Sequence, residues 1–142
     1  MPNPWVLRLA ILFALYATFL SVYILVSPLP AIHLFGLEPY YSTPTSPSSL
    51  VPFITIFGGR NFALGLAMLA LYWQGMYRAM GTIMICCTVS GAVDTVVMSL
   101  WGMAGKAMGH GVGCVLLGLT GWGLLESETA GGREKRSADA VE

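Results

Sequence analysis

Four long apolar runs restrict what this chain can fold into. They are Trp5–Ser27, Leu50–Trp73, Ala79–Trp101 and Ala107–Leu125. A helix of about 20 residues is long enough to cross the hydrocarbon core of a bilayer. Charged residues make up only 10% of the 142-residue chain, whereas about 25% is usual for soluble domains. The sequence therefore predicts an all-α fold, a four-helix transmembrane bundle.

The two ends of the chain set the domain limits. The first run is too long for the apolar region of a signal peptide, and "SPLPAI" is a poor cleavage site, so it is predicted to be the first membrane helix. Residues 1–126 form one membrane domain. Residues 127–142 end in "GGREKRSADAVE" and are predicted to be a disordered cytosolic tail.

The basic residues predict the orientation. With four helices, one side of the membrane holds Arg8, Arg78, Arg133, Lys135 and Arg136, and the other side holds Lys106. The positive-inside rule then places both termini in the cytosol. The endoplasmic reticulum is the expected membrane, and Lys106 is expected to contact lipid headgroups.

The longest loop lies between the first two helices and has two halves. The first half, "AIHLFGL", is amphipathic and either lies along the interface or re-enters the bundle. The second half is rich in Ser, Thr and Pro and is predicted to be extended. His33 and Glu38 lie in this loop, either solvated or folded over a cavity.

Polar residues interrupt three of the apolar runs at similar depths. Arg60 and Asn61 lie in the second run, Asp94 in the third and His110 near the start of the fourth. At ~1.5 Å per residue, Arg60 is ~15 Å deep. A charged residue at a helix centre costs ~2.5–3.5 kcal/mol and usually faces the bundle interior. We therefore expect Arg60 and Asp94 to point inward and lie close together.

Small residues surround this polar layer. Gly58, Gly59 and Ala63 flank Arg60, and Ser90 and Gly91 lie one turn before Asp94. The fourth run carries a GxxxG pattern, Gly109 and Gly113, next to His110. Small residues let helices approach closely, which makes helix packing the expected role of this pattern, and they also leave room for a ligand. The sequence does not separate these two uses.

Several kinds of site are not indicated. Cys86, Cys87 and Cys114 lie in apolar runs without a CxxC spacing and are interpreted as packing residues. His33 and His110 are far apart and belong to no cluster of metal ligands. The net charge is zero, without a basic patch, which gives no sign of nucleic acid binding. The sequence predicts no metal and no cofactor.

Each polar residue also has a purely structural interpretation. Arg60 and Asp94 could form a buried ion pair that sets the helix register. His110 could be an interfacial or capping residue, and Asn61 could form a hydrogen bond between helices. In a non-catalytic scaffold or assembly protein, these roles would account for the whole layer.

Two short elements carry a resemblance. "GGRNFALG" in the second run and "SGAVDTVVM" in the third, together with the four-helix pattern, resemble a family of small fungal membrane proteins largely of unknown function. The resemblance extends from about Trp5 to Leu125. Some members are encoded beside polyketide or terpenoid synthases. Among such pathways, those of aurovertin- and citreoviridin-type compounds use a small hydrolase to open epoxides.

The resemblance implies a membrane-bound epoxide hydrolase, and the polar residues suit that chemistry. Asp94 would activate water or protonate the epoxide, Arg60 would stabilise the alkoxide, and His110 would move a proton. Asn61 would position water or substrate, and Ser90 and Tyr23 would contribute to substrate binding. The expected partners are a lipophilic small molecule, membrane lipids and other membrane-bound pathway enzymes. A transporter is less favoured, because no inverted repeat is visible.

Overall fold

The computed structural model describes residues 2–35, 50–100 and 103–139, and it describes side chains only as far as residue 127. Within these ranges the chain is helical and contains no strand. The five helices are α1 (Pro4–Val26), α2 (Pro28–Leu34), α3 (Val51–Trp73), α4 (Tyr77–Leu100) and α5 (Ala104–Asp139). All except α2 contain a segment long and apolar enough to cross a membrane. The all-α prediction with four spanning helices is confirmed.

The ends of the helices follow the sequence closely at most positions. The four long helices begin within three residues of their predicted starts, and α1, α3 and α4 end within one residue of their predicted ends. α5 continues past Leu125 with a helical backbone to Asp139, although its membrane-compatible part ends at Ser127. The predicted disorder of residues 127–142 concerns behaviour in solution and stays a prediction.

The chain divides into two compact units. One unit is Phe13–Leu69, and the other combines Met1–Leu12 with Ala70–Glu142. Helices α1 and α3 each contribute to both units, because the divisions fall within them, after Leu12 and after Leu69.

In the unit Phe13–Leu69, glycines on α3 bring this helix against α1. A Cβ added at Gly58 would lie 2.7 Å from Cγ2 of Ile24, and one added at Gly65 would collide with Thr18. The contacts run from Gly58 to Gly65 on α3 while they run backwards from Ile24 to Thr18 on α1, so the two helices are antiparallel. The small-residue spacing on α3 therefore has a packing role.

Helix α2 occupies the first half of the long loop. It buries Ala31 and Ile32 against Ile24 of α1 and Ile54 of α3. Phe35 follows α2 and meets Phe57 edge to face, with ring centroids 5.6 Å apart. Residues 31–35, the described part of "AIHLFGL", therefore pack against the helices of this unit. Residues 36–49, which include Glu38 and the segment predicted to be extended, lie outside the described residues.

In the other unit, α4 and α5 pack along a seam of small residues that we call the glycine seam. Gly81 faces Gly121, Thr88 faces Gly118, Gly91 faces Cys114 and Thr95 faces Gly111. Successive positions are seven, three and four residues apart on α4 and three, four and three apart on α5. This spacing fits the seven-residue repeat of left-handed helix packing. The order of the pairs shows that the two helices are antiparallel. At Gly81 the approach is close enough that an added Cβ would lie 2.7 Å from the carbonyl oxygen of Gly121.

The two glycines of the GxxxG pattern do not lie on the face of α5 that meets α4. A Cβ added at Gly109 or Gly113 would have no neighbour within 4 Å in the described part of the chain. The expectation that these glycines pack against a helix is therefore wrong for this part of the chain. Gly111 lies between them and faces Thr95, because consecutive residues of a helix point about 100° apart and only one of the glycine faces can meet α4.

The outer faces of the helices are apolar. Large hydrophobic side chains are exposed on every spanning helix, among them Phe19 of α1, Phe53 of α3, Val93 of α4 and Leu119 of α5. Soluble monomers rarely expose contiguous apolar surface on this scale. In a bilayer the same surface contacts lipid, and the chain is a multi-pass membrane protein.

A left-handed glycine links α3 to α4. Gly75 has φ +69°, its N–H donates to the carbonyl of Tyr72 at 3.0 Å, and the N–H of Met76 donates to that of Leu71 at 2.9 Å. This pattern of two bonds is a Schellman motif, which ends a helix with glycine in the left-handed region.

We expect Gly75→Ala to lower the free energy of unfolding by about 1–2 kcal/mol, because a Cβ is disfavoured at this φ. Unfolding of the full chain in mixed detergent micelles, followed by circular dichroism, measures the change. Gly59→Ala is the control, since glycine 59 lies inside α3 with nothing within 4 Å of an added Cβ. Equal stability of Gly75→Ala and the parent chain would contradict the role assigned to this turn.

Candidate active site on helices α4 and α5

The structure brings two of the predicted site residues into contact. Nε2 of His110 on α5 lies 3.5 Å from Oδ2 of Asp94 on α4. Asp94 lies six residues before the end of α4 and His110 six residues after the start of α5, so each is about 9 Å inside its helix. The contact places Asp94 and His110 at the same level of the α4–α5 pair. The predicted layer that also includes Arg60 and Asn61 stays a prediction.

The glycine seam explains why the two side chains meet. Gly91 lies one turn before Asp94 and approaches Cys114, while Gly111 follows His110 directly and approaches Thr95. An added Cβ at Gly91 would lie 3.0 Å from Sγ of Cys114, so the backbones are close on both sides of the ion pair. Because the two helices are close here, the side chains of Asp94 and His110 are long enough to reach each other.

Both members of the pair remain accessible. The side chain of His110 is 36% exposed and that of Asp94 is 37% exposed. Their separation of 3.5 Å exceeds the ~2.7–3.2 Å of an N–H···O hydrogen bond. Catalytic pairs are often this loose before substrate binds. A carboxylate and an imidazole in this arrangement can accept and donate protons.

Cys114 has a role that the sequence did not indicate. Its thiol donates a hydrogen bond to the carbonyl oxygen of Thr88 across the seam, with a sulfur–oxygen distance of 3.1 Å. The hydroxyl of Thr88 bonds within its own helix, to the carbonyl of Ile85 at 2.6 Å. Cys114 lies four residues after His110 and therefore on the same side of α5. This spacing, together with the seven-residue repeat of small residues, was the available sequence signal.

An apolar groove lies beside the seam. Its volume is about 500 Å³, within the range of ~300–1,000 Å³ found for small-molecule sites. The groove is lined by Thr95, Ser99, Ala104, Ala107, Met108, Gly111, Val112, Val115 and Leu116. The hydroxyls of Thr95 and Ser99 are both bonded to carbonyls of α4, at 2.7 and 2.8 Å. Asp94 and His110 are not among the lining residues, so the ion pair and the groove are separate features.

Arg60 and Asn61 belong to the other unit, on α3. Arg60 is exposed and does not take part in the contact between α3 and α1. The physical reason is that the face of α3 that packs against α1 is the one carrying Gly58 and Gly65. Asn61 is half-buried, and its Nδ2 donates to the carbonyl of Phe57 at 3.1 Å. Because Arg60 and Asp94 belong to different units, their pairing stays a prediction.

The two remaining predicted site residues are exposed. Tyr23 lies on α1 with 42% of its surface accessible. Ser90 lies on α4, four residues before Asp94 and on the same side of the helix. Among the described residues there is no group of three or more His, Cys, Asp or Glu side chains that could hold a metal ion.

Fold and site together define a class: a multi-pass helical membrane protein with an accessible carboxylate–imidazole pair inside its spanning segments. The comparison with protein families makes this more specific. A family model described as a domain of unknown function, DUF4267, matches residues 14–124. Because the match covers most of the chain, the protein belongs to this family. Searches among curated proteins and among solved structures find no match to the chain.

Proposed function

We propose that this protein is a small membrane enzyme that opens a lipophilic epoxide by acid–base chemistry. One observation carries the proposal, namely the contact of 3.5 Å between Asp94 and His110 within two spanning helices. Ionisable residues inside membrane spans are costly and commonly mark functional sites. In a purely structural helix pair, the glycine seam would already provide close packing without them.

The proposed reaction uses the two side chains in complementary roles. The Asp94 carboxylate accepts a proton from a water molecule as the water oxygen attacks an epoxide carbon. The carbon–oxygen bond of the ring breaks, and the released oxygen takes a proton from the His110 imidazolium. Asp94 then returns its proton to His110, so that epoxide and water together give a diol. If a hydroxyl of the substrate replaces water, the same steps give a cyclic ether.

The setting in the membrane suits such a substrate. Both side chains are more than one-third exposed, and the helices that carry them have apolar outer faces. A long polyene or prenylated epoxide partitions into the bilayer and can reach the pair from between the lipids. Ser90 enters this proposal as a substrate contact, since it lies four residues before Asp94 on the same side of α4. The roles predicted for Arg60, Asn61 and Tyr23 stay predictions, because these residues belong to the other unit.

The proposed biological setting is fungal secondary metabolism, in which a polyketide or terpenoid epoxide would be made by another membrane-associated enzyme. The endoplasmic reticulum, with both termini cytosolic, is the proposed location. The resemblance of "GGRNFALG" and "SGAVDTVVM" supports the fungal setting. The distribution of basic residues supports the cytosolic position of both termini.

Deletion of the gene tests the proposal. We expect the deletion strain to accumulate a lipophilic epoxide and to lose the corresponding diol or cyclic ether, as measured by mass spectrometry of extracts. Reintroducing the parent gene should restore the product. Growth of the parent strain in ¹⁸O-labelled water should place one label in a diol. Unchanged pools of epoxide and product after deletion would rule out this function.

A second candidate function is a non-catalytic scaffold for other membrane enzymes. The observation that favours it is the position of Asp94 and His110 beside the glycine seam, where an ion pair also sets the register of α4 against α5. In that case the pair would contribute to abundance and not to product formation. The substitutions described in the Discussion separate the two candidates.

A further inference from the structure

Gly113 lies inside the spanning part of α5, and helix packing does not account for it. An added Cβ at this position would meet nothing within 4 Å in the described part of the chain. Glycine also disfavours a helix relative to alanine. Nearby exposed positions of α5 carry large apolar side chains, among them Val112, Val115 and Leu116. Gly113 is therefore a local gap in an apolar surface.

His110 lies next to this gap. Residues three apart on a helix are neighbours on its surface, whereas consecutive residues do not face each other. Gly113 is therefore a neighbour of His110, and Gly109 is not. Side chains on a helix also point toward the preceding turn, so a side chain at position 113 would lie over position 110. Because Gly113 has none, it leaves this edge of His110 uncovered.

Cys114 is the other residue placed to cover His110, since it follows four residues later. Its thiol is instead turned to α4, where it donates to the carbonyl oxygen of Thr88 at 3.1 Å. The side chain of His110 accordingly keeps 36% of its surface exposed, although it contacts Asp94. The exposed part of the imidazole thus lies beside the gap at Gly113.

We propose that Gly113 is a specificity-determining residue that keeps open the path by which a lipophilic epoxide reaches Asp94 and His110 from the lipid. Gly113 takes no part in the chemistry, and its role is the absence of a side chain. This inference rests on the proposed function, and it adds the direction from which the substrate enters and the residue on which that entry depends.

Chemical modification of His110 tests the path without an epoxide. Diethyl pyrocarbonate, a small apolar reagent that acylates imidazole, is added to the full chain in phosphatidylcholine nanodiscs, and peptide mass spectrometry follows the reaction. His33, the other histidine of the chain, is the internal reference. We expect Gly113→Leu to slow the modification of His110 several-fold relative to that of His33.

Gly109→Leu is the matched control. Glycines 109 and 113 lie four residues apart on the same side of α5, and an added Cβ meets nothing within 4 Å at either position. A side chain at position 109 points toward the turn before it and away from His110, so His110 should be modified at the parent rate. Equal slowing in both leucine variants would assign this face to contact with another helix and overturn the proposal. Modification at the parent rate in Gly113→Leu would also overturn it.

Product formation in membranes of the complemented deletion strain tests the role in specificity. Gly113→Leu should lower it by about 100-fold, the cost of displacing a reacting group by ~1 Å, while Gly109→Leu should retain the parent rate. Parent-like product formation by an abundant Gly113→Leu variant would contradict the proposal.

A smaller substitution keeps the test decisive if Gly113→Leu fails to accumulate. Gly113→Ala adds one methyl group that meets no neighbour, and it should slow the modification of His110 to a smaller extent. An unchanged rate in this variant would then overturn the proposal. Unchanged epoxide pools after gene deletion would remove the proposed function and leave the modification result intact, so the two failures are distinguishable.

Discussion

Replacing Asp94 with Asn should reduce formation of the diol or cyclic ether by about 100-fold or more, the usual contribution of a positioned acid or base. The substitution preserves the size of the side chain and removes the group that accepts a proton from water. His110 Nε2 lies 3.5 Å from the substituted group, so the helix pair needs no rearrangement. Product formation in membranes from the complemented deletion strain is the measurement.

His110→Gln should produce a loss of similar size, because the amide cannot transfer a proton to the released oxygen. The control is Glu126→Gln, which removes a carboxylate from an exposed position of α5 without touching the pair. We expect this control to retain the parent rate. Abundance of each variant, determined by immunoblotting of the membranes, normalises the rates.

The same substitutions distinguish an enzyme from a scaffold. If the pair is structural, Asp94→Asn should lower abundance, and the double replacement Asp94→Leu with His110→Leu should restore it, because two apolar residues remove both the charge and its cost. If the pair is catalytic, the double variant accumulates normally and forms no product. Normal product from an abundant Asp94→Asn variant would exclude the catalytic role.

Gly81→Ala should lower the free energy of unfolding by about 1–3 kcal/mol, the cost of overpacking a tight contact. The added Cβ would lie 2.7 Å from the carbonyl oxygen of Gly121 and 3.0 Å from Cβ of Leu124. The first of these neighbours is backbone, which cannot rotate away as a flexible side chain can. The helices must therefore separate at this end of the seam.

Gly113→Ala provides the matched control for the seam. Both substitutions place the same side chain on a spanning helix, but an added Cβ at glycine 113 meets nothing within 4 Å in the described structure. Alanine favours a helix over glycine by roughly 0.5–1 kcal/mol, so this variant should be as stable as the parent or more so. Reversible unfolding in mixed micelles compares the two, and equal effects would show that the seam does not stabilise the pair.

The positions of the spanning helices could be predicted from the sequence because each span satisfies its own requirements. A run such as Leu50–Trp73 must cover the hydrocarbon core and bond its own backbone groups, and both needs are local. The observed helix, Val51–Trp73, differs by a single residue. The helical backbone of α5 continues to Asp139, beyond its apolar segment, since hydropathy indicates where a span ends and not where a helix does.

It was harder to predict which face of each helix packs against its neighbour. GxxxG drew attention to Gly109 and Gly113, yet α4 packs against Gly111 and Gly118. In a chain with 17 glycines, many pairs have a spacing that permits close packing. Which pair is used depends on the neighbouring helix, and its position cannot be read from α5 alone. On α3 the contact with α1 uses the face of Gly58 and Gly65, which likewise could not be read from the pattern of small residues around Arg60.

By itself, the sequence determined the class of protein, the positions of the spans and the shared depth of Asp94 and His110, because apolar length and residue counting are local properties. Only the tertiary structure decided that Asp94 meets His110, since that contact depends on the register of two antiparallel helices. The register is set where Gly81 and Gly121 let the backbones touch, which is a property of the pair of helices and of neither sequence segment separately.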